Sequence, residues 1–263
     1  MKATKTLRIL VSNDDGIHAP GIHALVTELR KVGDVTVFAP DKQMSAVGHA
    51  ITVNYPLRAS KYFKGKEFFG YAVEGTPADC VKLAIRTLLD RTPDVLVSGI
   101  NHGSNTAINI IYSGTVSAAT EGTILGIPSV AVSLSTWGEP DFAFAARFSA
   151  KLAQLVARNG LPRGTLLNVN VPAIAESEVR GVALTRQGKT QWDDRFEVRR
   201  DPNNKEYYWL SGNLEVIDRS SDTDEIAVRN NRISITPIHY DLTDYATLKK
   251  IKRWKFGDLL SRR

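Results

Sequence analysis

Two adjacent acids, Asp14 and Asp15, follow the apolar run Ile9-Leu10-Val11-Ser12 and precede Gly16. Side-by-side carboxylates repel unless a cation or a shared proton relieves them. Asn13-Asp14-Asp15-Gly16 is therefore a candidate seat for a hard, oxygen-loving metal ion. Asn, Asp and Gly also build ordinary turns, and on this tetrapeptide alone the two readings stand level. More oxygen donors gather in two further glycine-containing loops, Asp41 to His49 with Ser45, and Gly99 to Asn105 with Asn101 and Asn105. The pooled donors Asp14, Asp15, Ser45, Asn101 and Asn105 include no sulfur, which suits magnesium, manganese or calcium better than a thiolate zinc site. A fourth loop, Tyr112-Ser113-Gly114-Thr115, stands just before a helical pattern. Its N–H groups and two hydroxyls could seat an anion at a helix N-terminus, although Ser or Thr there is equally an ordinary N-cap. Of the five histidines, which show no metal-ligand spacing, His102 is the best-placed candidate acid. A loop histidine facing solvent is the plainer reading of it.

These loops need strands and helices to hold them. Ile9–Ser12, Asp34–Pro40, Val95–Ser98, Ser129–Leu134 and Thr165–Val171 read as short buried strands. Between them lie helical patterns: Ile22, Leu25, Val26 and Leu29 closed by Gly33, then Pro77 to about Asp90, Thr115 to Leu125, and Phe142 to about Ala157. Alternation of this kind implies an α/β fold, a mainly parallel, doubly wound sheet with helices on both faces. In such a sheet the loops at the carboxyl ends converge on one crevice. Residues 50–74, with Lys64-Gly65-Lys66 as a hairpin signal, read as an antiparallel excursion. Beyond residue 180 the character changes. A turn at Asp201-Pro202-Asn203-Asn204 between Phe196-Glu-Val and Glu206-Tyr-Tyr-Trp-Leu210 predicts a protruding hairpin. Tyr207, Tyr208 and Trp209 would make that arm an oligomer contact, or else a lid on the chain's own core. Ile226-Ala-Val and Ile233–Pro237 are expected to complete the β content. The chain thus reads as a single domain, an α/β core over 1–180 with a β-hairpin arm and C-terminal extension over 181–263.

Composition bounds the function. The 263 residues, 43% hydrophobic and 24% charged, are those of an ordinary globular protein large enough to bury a core without staples. No apolar run approaches a membrane span, and Leu7 with Ile9-Leu10-Val11 is too little for a signal-peptide core. A single cysteine, Cys80, expected as a small buried helix residue, fits a reducing cytoplasm. The net charge of +6 sits in residues 249–263, seven bases against one acid, so the excess belongs to a tail and nucleic acid is not required. The sequence holds no G-x-x-x-x-G-K-[ST], G-x-G-x-x-G or G-x-S-x-G, which argues against P-loop, dinucleotide-binding and serine-elbow chemistry.

Ile9-Leu-Val-Ser-Asn-Asp-Asp-Gly-Ile17 with Ala19-Pro-Gly21 resembles the opening signature of the SurE family (survival protein E). The likeness continues in the family's order through Ala39-Pro-Asp, Ser45, Gly75-Thr-Pro-Ala-Asp79, Ser98-Gly-Ile-Asn101 with Gly103 and Asn105, and Tyr112-Ser-Gly-Thr-Val116 with Ala118-Ala119 and Glu121-Gly122. Asn168-Val-Asn-Val-Pro172 and Thr236–Thr243 extend it more weakly. The resemblance implies a Rossmann-like core with a C-terminal extension forming homodimers or homotetramers. It also implies metal-dependent hydrolysis of nucleoside 5′-monophosphates, with 3′-monophosphates and short polyphosphate as further substrates. Carried onto this sequence, it makes Asp14, Asp15, Ser45 and Asn101 ligands of one divalent cation, magnesium or manganese ahead of calcium. Ser113, Gly114 and Thr115, with Asn105 nearby, would hold the phosphate, and Asp14 is the candidate to orient or deprotonate the attacking water. The rival reading is a non-catalytic nucleotide sensor with a basic RNA-docking tail. An acyl hydrolase built on Ser113 stands third, for want of a base partner.

Overall fold

The computed structural model describes residues 6–136 and 138–260. Five strands form the parallel centre: β1 (Arg8–Ser12), β2 (Asp34–Pro40), β5 (Val95–His102), β6 (Ser129–Ser135) and β7 (Thr165–Pro172). On one flank the hairpin β3 (Ala59–Lys64) and β4 (Glu67–Val73) closes the edge, with β4 running parallel to β2. The excursion expected over 50–74 is thus antiparallel within itself and part of the main sheet. On the other flank β13 (Ile233–His239) runs antiparallel to β7, and β8 (Val182–Leu184) lies beside it. The order is β3-β4-β2-β1-β5-β6-β7-β13-β8.

Helices cover both faces, so the central strands are apolar on both sides. The α1 (Pro20–Leu29) and α5 (Ala143–Asn159) helices pack on the face reached by Ile9 and Val11. On the opposite face Leu10, Phe38 and Leu96 meet α2 (Pro77–Leu83) and α4 (Gly114–Ile124). Complete burial of Leu10 and Phe38 is worth about 1.5–3 kcal/mol each. Cys80 and Val81 of α2 sit in this second core, and burial pushes the Cys80 thiol well up. Small residues let α4 lie close to the sheet: a Cβ on Gly122 would come 2.7 Å from Ser129 Oγ and 2.9 Å from Leu96 Cδ1. The α2 helix starts with a capping box, Thr76 and Asp79, and has Pro77 in its first turn. Asp79 also accepts the Thr52 N–H and hydroxyl at 2.9 and 2.6 Å, which pins the chain leading out of the loop that carries Ser45. After Leu83 the expected single helix widens into a π turn over Ala84–Leu88.

Two expectations need correction. The segment Gly99–His102, read as a loop, continues β5. Pairing with β6 breaks after Ser98 and resumes at Asn101 and His102, so the strand bulges there. Gly99 permits it, because its φ is +139° and a Cβ would lie 2.4 Å from the Val132 carbonyl oxygen. Ile226-Ala-Val, read as strand, lies in the helix α6 (Asp224–Arg229). Acids in its first turn, Arg229 in its last and a 2.7 Å Glu225–Arg229 pair at i,i+4 favour helix over the β preference of Ile and Val.

The rest of the extension comprises β9 (Thr190–Trp192), which meets α3 (Asn109–Tyr112) of the core, β12 (Leu214–Val216) paired with β9, and the arm of β10 (Arg195–Arg200) and β11 (Glu206–Ser211). The arm has the expected turn and is exposed on both faces, so it is no lid on this chain's own core. Register puts Phe196, Val198, Tyr208 and Leu210 on one face, and Tyr207 and Trp209 on the other. The α7 helix (Tyr245–Ile251) begins the basic tail with Lys249 and Lys250 exposed. Arg262 and Arg263 lie outside the described residues, as do Lys2 and Lys5.

Candidate active site

In the sheet order β1 stands between β2 and β5, and chain connections leave it in opposite directions, so a crevice opens beyond the carboxyl ends of β1 and β5. Asp14, at the end of β1, is 4% exposed. Its carboxylate stands on the N-terminus of α4: the Thr115 hydroxyl donates to Asp14 Oδ1, and a Cβ on Gly114 would lie 2.6 Å from Asp14 Cβ. Burial pushes the Asp14 carboxyl from 3.8 up to about 6; Thr115 opposes the rise and the Asp15 charge adds to it. Asp15 is half-buried and accepts the His102 N–H at 3.1 Å. Burial raises its carboxyl too, against that hydrogen bond.

Backbone contacts bring the second loop in. Met44 N–H donates to the Asp14 carbonyl oxygen at 2.7 Å. Gly16 (φ +93°) lies so close to Lys42 that a Cβ would sit 3.1 Å from its carbonyl carbon. Ser45 follows at the rim, exposed, its Oγ accepting from Gln43 Nε2 at 2.8 Å. Asn101 lies on the resumed β5 and donates to the Gly103 carbonyl at 2.8 Å. Asp14, Ser45, Asn101, Asn105 and Ser113 all line one crevice of about 220 Å³, with His102 at its edge. Asp15, Gly114 and Thr115 do not line it. The Ser113 hydroxyl accepts the Val116 N–H at 3.1 Å, so it serves as the N-cap of α4. Exposed His102 points its ring away, with Nε2 2.9 Å from the Gly138 carbonyl oxygen.

Beneath the crevice lies a support that the sequence did not predict, in which Ser133, Asn168 and Asn170 hold the expected Asn105. Asn105 is buried in a polar net. Its N–H donates to Asn170 Oδ1 at 2.8 Å, its Nδ2 to Ser133 Oγ at 2.8 Å, and Asn168 and Asn170 donate back to its carbonyl. Two asparagines at i and i+2 of an apolar strand share one face, and that spacing was the available signal. The extension grips the same loop: Asp224 accepts the Ala107 N–H at 2.9 Å, Glu225 accepts the Thr106 hydroxyl at 2.6 Å, and Trp192 Nε1–H donates to Asn109 Oδ1 at 3.0 Å. Mistaking α6 for a strand hid those two acids.

This arrangement sets buried carboxylate chemistry at a helix N-terminus beside an open polar crevice. Residues 9–194 match the family described as Survival protein SurE. The chain belongs to the SurE family. It is 51% identical to the 5′-nucleotidase SurE of Chlorobium chlorochromatii, over 94% of this chain and 91% of that protein. It is 52% identical to the 5′-nucleotidase SurE of Moorella thermoacetica, over 90% and 92% of the two chains. The crystal structure of the SurE protein from Aquifex aeolicus superposes with a TM-score of 0.81 at 41% identity, covering 93% of this chain and 98% of that one.

The residues present fit a hard cation. Among the described residues no three His, Cys, Asp or Glu side chains converge. A cation in the crevice would be met by the Asp14 carboxylate and the neutral oxygens of Ser45 and Asn101, with the Asp15 carboxylate adjacent, a set suited to magnesium, manganese or calcium. The Asp14 carboxyl raised by burial, beside a second acid, is the kind of charge such an ion relieves.

Proposed function

We propose that this chain hydrolyses nucleoside 5′-monophosphates to nucleoside and phosphate with one divalent cation held by Asp14, Asp15, Ser45 and Asn101. The observation that carries the reading is the convergence of Asp14, Ser45, Asn101, Asn105 and Ser113 on one crevice, in a chain about half identical to proteins named 5′-nucleotidase. When bound, the cation supplies Lewis-acid polarisation of the phosphoryl group and a more acidic water. Asn105 and Ser113 bind the phosphoryl oxygens, and the N-terminus of the eleven-residue α4, at Gly114 and Thr115, offsets their charge through its dipole. Thr115 holds Asp14 in place, and Asp14 orients the attacking water. The water oxygen bonds to phosphorus as the bond to the ester oxygen breaks, and that oxygen leaves with a proton as the nucleoside hydroxyl.

The 3′-monophosphates and short polyphosphate belong to the same reading as secondary substrates. The core over 1–180 carries the chemistry, and the extension over 181–263 makes the dimer or tetramer through the arm's apolar face. No helix of the described residues is long and apolar enough to cross a membrane, and the buried free thiol of Cys80 suits a reducing cytoplasm. The test is phosphate release from a panel of nucleoside monophosphates with magnesium, manganese or calcium. EDTA should silence the wild type, manganese or magnesium should restore it, and Asp14→Asn should lose at least about a thousandfold while remaining folded. Normal turnover in Asp14→Asn would sink the assignment.

A further inference from the structure

The loop that carries Ser45 cannot hold its own shape. From Asp41 to Thr52 the chain forms no helix or strand, and Ala46 and Gly48 have φ of +57° and +63°. Glycine takes that left-handed conformation freely, whereas alanine keeps it only where the surroundings over-determine it. Anchors lie on either side. Met44 N–H donates to the Asp14 carbonyl oxygen at 2.7 Å, and Gly48 N–H to the Tyr112 carbonyl oxygen at 3.1 Å. Further on, the Ala50 carbonyl accepts the Thr76 hydroxyl at 2.7 Å. Among the described residues, Ser45, Ala46 and Val47 make no backbone–backbone hydrogen bond of their own.

His49 adds a side-chain anchor beside Gly48. Its Nε2 donates to Glu121 Oε2 at 3.0 Å, on a carboxylate that is 3% exposed, and the other oxygen of Glu121 pairs with Lys82 of α2. A buried carboxylate is tolerated only while its partners stay in place, so Glu121 holds His49 as firmly as His49 holds it. Glu121 belongs to α4, the helix whose first turn fixes Asp14 through the Thr115 hydroxyl. One rigid helix thus sets Asp14 at its start and, about two turns on, the loop of Ser45. The mechanism above gives Glu121 and His49 no part, and neither lines the crevice.

We propose that Glu121 and His49 are positioning residues of the cation site, whose hydrogen bond holds the Ser45 loop in register with Asp14. This rests on the phosphatase reading above and adds the part that assembles its site. Without that bond the loop is in place for only a fraction of the time, and the apparent affinity for the ion falls by that fraction.

The test is calorimetric titration of the metal-free protein with manganese, with melting followed alongside. His49→Ala should weaken manganese binding about tenfold, the lower end of what supporting residues contribute. His49→Gln, whose amide can donate to Glu121 from nearly the same place, should stay within about threefold of wild type. Glu121→Ala should weaken binding in the same direction, and the double variant no further than the weaker single one, because both act through one bond. If Glu121→Ala fails to fold, the half-buried His49 pair of variants still decides. Val156→Ala truncates the core on the opposite face of the sheet; it should lower melting and leave manganese affinity unchanged. With manganese saturating, His49→Ala should release phosphate from AMP within about threefold of wild type, since the ion then holds the loop. Unchanged manganese affinity in His49→Ala would overturn the proposal, as would a loss that His49→Gln fails to restore. An equal loss in Val156→Ala would overturn it too. A wild type that binds no manganese would remove the cation reading and this inference with it. Binding abolished in Asp14→Asn but intact in His49→Ala would remove this inference alone.

Discussion

The crevice and the arm depart from the usual inside–outside distribution in opposite directions. At the crevice a carboxylate, Asp14, is 4% exposed, with Asn105, Ser113 and Thr115 buried around it. On the arm, Phe196, Tyr208 and Leu210 are each at least 60% exposed on one face of a two-stranded ribbon. Buried charge and clustered exposed apolar surface are the two placements that folding alone disfavours. On the proposed reading each is relieved by something from outside the chain: an ion and a phosphate for the first, an apolar surface for the second. The polar net and the α6 acids hold the crevice residues rigid, whereas the arm is held by one hairpin ladder and an Asp201 turn. Chemistry needs fixed positions; a contact surface can complete itself on its partner.

The largest expected effect falls on the crevice. In Gly114→Ala the new Cβ meets Asp14 Cβ at 2.6 Å, and either the carboxylate or the start of α4 must move. Phosphate release from AMP should drop at least about a hundredfold, since displacements of this order cost that much, with melting only a few degrees lower. On the arm, the double substitution Phe196→Glu, Tyr208→Glu should convert a dimer or tetramer to monomer by sedimentation, and turnover per chain should fall less than in Gly114→Ala, because Leu210, the residue of that face that walls the space beside the crevice, is unchanged. A wild type that already sediments as a monomer would break that half of the comparison.

The smallest effect concerns how the crevice loop is tethered. Glu121 of α4, its side chain 3% exposed, is 2.5 Å from Lys82 Nζ and 3.0 Å from His49 Nε2 on the loop that carries Ser45. Burial by itself would raise its carboxyl, but the hydrogen bonds from His49 and Lys82 prevail and hold it below 4.5. A lowered folded value means the stabilisation is present above pH 4.5 and fades as pH falls through that lower value. Glu121→Gln should therefore lose about 1–2 kcal/mol near pH 7, and denaturant midpoints of the two proteins should converge as pH drops below 4.5.

The sequence made the sheet and its crevice legible because buried strands and glycine turns are local signals: Ile9–Ser12, Asp34–Pro40 and Ser129–Leu134 appear nearly as read. Convergence of Asp14, Ser45, Asn101, Asn105 and Ser113 followed from topology. What stayed hidden depends on contacts distant in sequence. Asn101 proved a strand residue because Gly99 alone tolerates the approach of Val132. The roles of Asn168, Asn170, Asp224 and Glu225 appear only when β7 and α6 close on residues 105–107. Trp192, which nothing local singles out, reaches the crevice only because its indole N–H donates to Asn109 of α3.

On the proposed reading Asp14 is buried at a cost to the free protein because it binds a cation. Without metal, its rise from 3.8 to about 6 corresponds to about 3 kcal/mol of stability forgone near pH 7.5, partly regained as pH falls toward 4. The most direct measurement is the denaturant midpoint of wild type and Asp14→Asn at pH 7.5, in EDTA and in manganese. In EDTA the variant should be the more stable of the two, and manganese should stabilise the wild type while leaving the variant unchanged. Equal stabilisation of both proteins by manganese, together with a variant weaker than wild type in EDTA, would contradict it.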